Sequence, residues 1–285
     1  MSFIPPPPLP DIVLDPLVRL ALAEDLGRAG DLTTDATINP GTELTAHLRA
    51  RQTGRLAGMD AARYALKLVD PSVSLEEQKA DGDVITPGDT IAIMRGEARS
   101  ILIAERTMLN FLGRLSGIAT LTSAFAEKIA HTKAKIVCTR KTTPGHRAVE
   151  KRAVRCGGGT SHRYGLDDAI LIKDNHIAAS GSIAEALQRA HAYAGHLRMI
   201  EIEVDTLDQL AEALPHKPHA MLLDNMEPDL LREAVAMIDG QCLAEASGGI
   251  TLETVAAKAE TGVDYISSGA LTHSASNLDL GLDIL

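Results

Sequence analysis

From residue 135 onward, short apolar runs alternate with amphipathic segments, and this rhythm constrains the fold more than any other feature of the chain. KIVCT, AILIKD, MIEIEVD, HAMLLDN, CLAEASGG and DYISSG read as strands. SIAEALQRAHAYA, TLDQLAEAL, PDLLREAVAMI and TLETVAAKAE read as helices between most of them. Such alternation, at roughly twenty- to thirty-residue spacing, predicts right-handed crossovers and a parallel sheet with strands buried on both faces. The sheet is then either open and doubly wound or closed into a barrel. The strand ends favour the barrel. Arg140 and Lys141 end the first run, Lys173 the second, Glu203 the third and Asp224 the fourth. Ser247-Gly248-Gly249 ends the fifth and Ser268-Gly269 the sixth. In a barrel these ends converge on one mouth, whereas an open sheet spreads them along an edge.

The chain upstream has a different character. Asp15 as cap, Pro16 in the first turn and Gly27 as terminator predict a first helix. Residues 43–98 read as a small α+β region: ELTAHLRARQTGRLAG as short strands with Gly turns, and DVITPGDTIAIMRGEA as two strands around a Pro-Gly-Asp turn. The latter has the look of a lipoyl-type hairpin, but no lysine sits at its turn, which predicts a structural role. Residues 99–115 return to helical periodicity, and Ser116-Gly117 predicts a break or bend there.

Composition excludes several function classes. The 285 residues carry a formal net charge of −10, no Trp and three Phe, which argues against nucleic-acid binding. No stretch of 18 apolar residues occurs, so no membrane span is expected. MSFIPPPPLPD lacks the basic and apolar regions of a secretory signal and reads as an extended lead-in. Three cysteines, Cys138, Cys156 and Cys242, suit reduced thiols in a cytoplasmic protein.

In an acidic chain, the basic block TRKTTPGHRAVEKRAVRCGGGTSHR (139–163) stands out. Arg147, Lys151 and Arg155 recur at helical spacing and read best as a solvated helix face. Arg140 and Lys141 end a buried strand, and His162-Arg163 follow three glycines. Cations at a barrel mouth carry a desolvation penalty that an anionic ligand would offset, and the planar guanidinium fork suits carboxylates. SGGIT before a helix, with SSGALTH beside it, supplies backbone N–H groups for a phosphate. Glu203 and Asp224 are hard-oxygen groups suited to Mg²⁺ or ribose hydroxyls. Glu201, two residues earlier on the same strand face, is an equal candidate by periodicity. No His/Cys cluster has zinc-ligand spacing, and His176 and His273 are given no role.

TRKTTPG, AVRCGGGTSHRYGL, LIKDNHI, EVD, LLDN, EASGGI and SSGALTHS closely resemble the serial motifs of quinolinate phosphoribosyltransferases. ERTMLNFLGRLSGIAT and AEDLGRAGDLTT also look like that family, so the resemblance covers nearly the whole chain beyond the Pro-rich tail. It implies an α/β fold with an N-terminal α/β sandwich domain and an incomplete, six- or seven-stranded α/β barrel. With it the domains would be a tail over 1–12, the sandwich over 13–115, the catalytic barrel over 116–270, and a segment over 271–285 returning to the sandwich.

The implied activity is that of a type II phosphoribosyltransferase in de novo NAD biosynthesis, a glycosyltransferase (pentosyltransferase). It converts quinolinate and 5-phosphoribosyl 1-pyrophosphate to nicotinate mononucleotide, pyrophosphate and carbon dioxide. Carried over by motif, Arg140, His162 and Arg163 would hold the pyridine dicarboxylate, joined by Arg106 from the other subunit of a homodimer or of a higher assembly. Lys141 and Lys173 would face pyrophosphate and the reaction centre. Glu203 and Asp224 would bind ribose hydroxyls and Mg²⁺, directly or through the substrate. Ser247, Gly248, Gly249 and Gly269 would cradle the 5′-phosphate. The family pattern selects Glu203 over Glu201. Two departures stand beside the binding residues: Cys138 where Asp is common, and Thr160-Ser161 in place of a frequent His-Asn. The alternatives are a fold-sharing paralogue associated with molybdate transport, a Schiff-base aldolase using Lys173, and a non-catalytic phosphate-ligand sensor.

Overall fold

The computed structural model describes residues 6–284; the start of the predicted Pro-rich tail lies outside them. Helix α1 (Asp11–Leu26) begins a turn earlier than Asp15 predicts, so Asp15 and Pro16 lie inside it. The Asp15 carboxylate instead accepts hydrogen bonds from Arg19 Nε at 2.8 Å and Tyr64 Oη at 2.6 Å. A side chain committed to a neighbouring helix is not free to cap its own. After α2 (Leu32–Thr37) come β1 (Glu43–Ala50), β2 (Gly54–Arg55), α3 (Met59–Val69), β3 (Ser74–Glu77), β4 (Val84–Ile85) and β5 (Thr90–Glu97). The Pro-Gly-Asp turn does separate two strands, yet they do not pair: β4 pairs with β2, while β5 joins β1 and β3.

Helix α4 (Ala98–Lys128) runs 31 residues through Ser116-Gly117 without the expected break. Those glycines serve close approach. A Cβ on Gly117 would lie 1.9 Å from the Ser276 carbonyl oxygen, and one on Gly113 would lie 3.0 Å from that of Leu278. The segment after His273 lies against α4 here, with Leu278 N donating to Gly113 O at 2.9 Å and Arg114 to Ala275 O at 2.9 Å.

Beyond α4 the predicted alternation is present: β6 (Lys135–Val137), α5 (Arg147–Cys156), β7 (Ile170–Ile172), α6 (Asp174–Ser180), α7 (Ile183–Tyr193) and β8 (Ile200–Val204). It continues with α8 (Leu207–Ala213), β9 (Ala220–Asp224), α9 (Pro228–Ile238), β10 (Leu243–Ser247), α10 (Val255–Ala259), β11 (Tyr265–Ser267) and α11 (Ala270–His273), and ends in β12 (Leu280–Ile284).

The chain divides into two compact units. The first comprises residues 1–123, 142–158 and 274–285. Its antiparallel sheet has the order β12-β1-β5-β3, with Ala46, Leu48 and Ala50 of β1 buried, and α1 packs on α3. Helix α5 belongs to this unit and departs from the predicted solvated face. Arg155 is exposed, but Lys151 is 1% exposed and Arg152 9%. Arg152 is buried through ion pairs with Asp60 at 3.2 Å and with Asp81, and its Nε donates to the Pro7 carbonyl at 3.0 Å. Buried cations need such partners.

The second unit comprises residues 124–141 and 159–273. Its six strands are parallel, in the order β6-β11-β10-β9-β8-β7. The first strand neighbours the last and the rest follow in sequence, so the sheet is wound in one direction, as a barrel is and a doubly wound sheet is not. It stays open between β6 and β7. At that seam Thr160 forms a parallel bridge to Val137, its N donating to Ile136 O at 2.9 Å. This single-residue bridge takes the place of a seventh strand, and the barrel is incomplete.

Candidate active site

Parallel strands put all their C-terminal ends on one rim, and the predicted residues gather there. Arg140, Lys141, His162, Arg163, Lys173, Glu203, Asp224 and Ser247 line one cavity of about 270 Å³. Gly248, Gly249 and Gly269 line a neighbouring cavity of about 410 Å³ that shares Lys141, Asp224 and Ser247 with the first. Arg106 is exposed on α4 in the first unit and is not among these lining residues.

Arg163 donates weakly to the Ala169 carbonyl at 3.4 Å, and its Nε is buried with no hydrogen-bond partner. Burial and then the like charge of Arg140 lower the Arg163 pKa, against smaller opposing effects from Asp168 and Glu201. Two guanidiniums that repel one another across a half-buried cavity are a receptor for an anion. Lys173 follows β7 directly, and its ammonium pairs with Glu203.

His162 is fixed by its surroundings. Its Nδ1 accepts the Arg163 backbone N–H at 2.8 Å, so the ring proton must sit on Nε2, which lies 2.9 Å from Glu201 Oε2. Glu201, which periodicity left level with Glu203, therefore orients a histidine one layer down, and Glu203 is the acid at the rim. Nε2 is also 3.6 Å from Glu245 Oε1.

Glu245 is a residue that motif reading missed. It is 6% exposed, its Oε1 has no hydrogen-bond partner, and it lines the first cavity. Burial first, and the neighbouring Glu201 charge second, push its pKa up to about 7, with His162 acting in the opposite direction. A signal existed: Glu245 stands two residues before Ser247 on the same strand face. His273 was also given no role, yet it lines the second cavity.

At the turn after β10, Gly248 has φ +82°, and a Cβ there would lie 2.1 Å from Asn225 Oδ1, so only glycine fits the turn. The following helix differs from expectation. α10 begins at Val255 and has five residues, so no helix end directly follows the Ser247–Gly249 turn. Asp224 closes β9 and accepts Asn225 Nδ2 at 2.6 Å.

Glu203 and Asp224 are hard-oxygen groups of the kind that suits Mg²⁺, and among the described residues they belong to no cluster of three ligand groups. Among the described residues such a cluster does occur at His162, Glu201 and Glu245. A metal there would need the Nε2 lone pair, and the hydrogen bond at Nδ1 leaves the proton on Nε2. That arrangement disfavours a metal at the histidine.

The family model described as quinolinate phosphoribosyl transferase, C-terminal domain, matches residues 118–283, and the N-terminal domain model matches residues 31–116. A nicotinate-nucleotide pyrophosphorylase [carboxylating] of Mycobacterium leprae is 45% identical over 94% of this chain and 95% of its own. Quinolinate phosphoribosyltransferase [decarboxylating] 1 of Nicotiana glauca is 44% identical over 99% and 85%. The crystal structure of NadC from Streptococcus pyogenes superposes with a TM-score of 0.94 at 40% identity, covering 98% of this chain and 100% of that one. With both domain models matched in order and relatives of this likeness spanning it, the chain belongs to the quinolinate phosphoribosyltransferase family.

Proposed function

We propose that this chain joins quinolinate to the phosphoribosyl group of 5-phosphoribosyl 1-pyrophosphate, giving nicotinate mononucleotide, pyrophosphate and carbon dioxide in NAD biosynthesis. The observation that carries the reading is the repelling pair Arg140 and Arg163, with the Arg163 Nε lacking a partner, beside a glycine turn built for a phosphate.

Little acid–base machinery is required before the last step. The arginines fix the two ring carboxylates so that the pyridine nitrogen faces the anomeric carbon, the positional part of catalysis. Nitrogen attacks, the C–O bond to pyrophosphate breaks, and Lys141 and Lys173 meet the charge on the leaving group. Bound Mg²⁺, held at Glu203 and Asp224, would supply further charge neutralisation on pyrophosphate. The quaternary ring nitrogen then accepts the electron pair left at C2 as carbon dioxide departs, and C2 takes up a proton.

Lys173 is committed to Glu203 in an ion pair, whereas a Schiff-base lysine must present a free amine. Arg106, exposed on its helix, completes the dicarboxylate site of a second subunit in a homodimer, which could assemble further. No described helix is long and apolar enough to cross a membrane, and a cytoplasmic location suits the three cysteine thiols.

An assay for nicotinate mononucleotide, run with and without Mg²⁺ and with nicotinate as control, tests the reading. Strong preference for quinolinate and dependence on Mg²⁺ are expected. Equal use of nicotinate, or no product, overturns it.

A further inference from the structure

The same site contains a buried lysine for which the chemistry above has no use. Lys258 on α10 is 5% exposed. Its Nζ donates to the carbonyls of Met226 at 3.0 Å and Gly248 at 3.4 Å. Met226 lies two residues beyond Asp224, and Gly248 is in the phosphate turn. One ammonium thus ties the loop after β9 to the turn after β10. Carbonyl oxygens satisfy its hydrogen bonds but carry only partial charge. Among the described residues no carboxylate lies within 4.0 Å of it. Glu227 and Glu253 line the same cavity of about 350 Å³ without reaching that distance. A buried ammonium without an ion-pair partner is unfavourable unless an anion arrives nearby, and the turn it holds from behind is the turn open to a phosphate.

We propose that Lys258 is a positioning residue for the phosphoribosyl substrate, clamping the two loops together and supplying the counter-charge for the phosphate seated on Gly248 and Gly249. This rests on the phosphoribosyl-transfer reading. It predicts that the charge, and not the packing of the stem alone, is felt by phosphate-bearing ligands and by no others.

The test uses the full chain with Lys258→Gln, which keeps an N–H donor without charge, and Lys258→Arg, which keeps the charge. Lys258→Gln should raise KM for 5-phosphoribosyl 1-pyrophosphate tenfold or more. KM for quinolinate should stay within about twofold and kcat within about threefold. Calorimetric affinity for inorganic phosphate should fall with the KM change, and Lys258→Arg should recover most of it. Phosphate affinity unchanged in Lys258→Gln, or both substrate KM values rising together, overturns the proposal. If Lys258→Gln does not fold, Lys258→Arg decides: affinity near the parent supports the counter-charge, and a tenfold loss refutes it. The phosphate measurement needs no turnover, so failure of the parent to form nicotinate mononucleotide would refute the transfer reading and leave this result to be read separately.

Discussion

Glu245→Gln separates the electrostatics of the pocket floor from its packing. In the native chain burial and the Glu201 charge favour the protonated carboxyl, so the folded state holds a proton that the unfolded state releases at lower pH. Between the ordinary value of 4.5 and about 7 the folded state therefore binds more protons, and stability falls as pH rises through that window. The full loss is reached above about pH 7 and amounts to roughly 3 kcal/mol. Glutamine has nearly the shape of the protonated acid and never ionises. The variant should match the parent near pH 5 and exceed it at pH 8 by up to roughly 3 kcal/mol, several degrees in unfolding midpoint. Thermal unfolding of both proteins from pH 5 to 8 reads this directly. The parent should also lose quinolinate affinity as pH passes about 7, because an ionised Glu245 opposes a dianion, and the variant should not. Parallel stability curves across that range would refute the reasoning.

Other perturbations have equally definite outcomes. Arg140→Ala should lower kcat/KM by about 2–5 kcal/mol of transition-state binding, since it removes the charge facing Arg163 and the substrate; steady-state kinetics like the parent's would contradict the role. Gly248→Ala forces a Cβ to 2.1 Å from Asn225 Oδ1 at φ +82°, so KM for 5-phosphoribosyl 1-pyrophosphate should rise while that for quinolinate holds. Gly117→Ala drives a methyl group into the Ser276 carbonyl and should destabilise the first unit by about 1–3 kcal/mol in urea unfolding; an unchanged midpoint would show that the C-terminal segment does not rest on α4.

What could be read in the sequence depended on whether the governing partner was local. The six parallel strands were legible because burial on both faces leaves continuous apolar runs, and their polar ends could then be placed on one rim. Lys151 was misread because helical spacing reports a face and not what covers it. Gly117 was misread for a related reason: its neighbour, Ser276, lies far along the chain, so a close approach looked like a break. Asp15 looked like a cap until Tyr64 was brought beside it. Glu245 is masked in the sequence because it precedes a glycine motif with a stronger local signature. Its meaning comes from two neighbours, Glu201 and His162, on other segments.

Following the rim in sheet order shows why an incomplete barrel suits this chemistry. Lys173, Glu203, Asp224 and the Ser247–Gly249 turn follow one another on β7, β8, β9 and β10, and Lys141 after β6 joins the cavity at that turn from the far side of β11. Arg140 follows β6, Lys173 follows β7, and His162 and Arg163 follow the bridge at Thr160 between them, so the cations stand at the seam. A closed strand there would bury two like-charged guanidiniums more deeply, at a desolvation cost. The open seam leaves these cations half-buried, whereas the acid and glycine side sits on continuous sheet, which holds its groups rigidly. The division of charge around the rim thus follows from where the sheet is closed and where it is not.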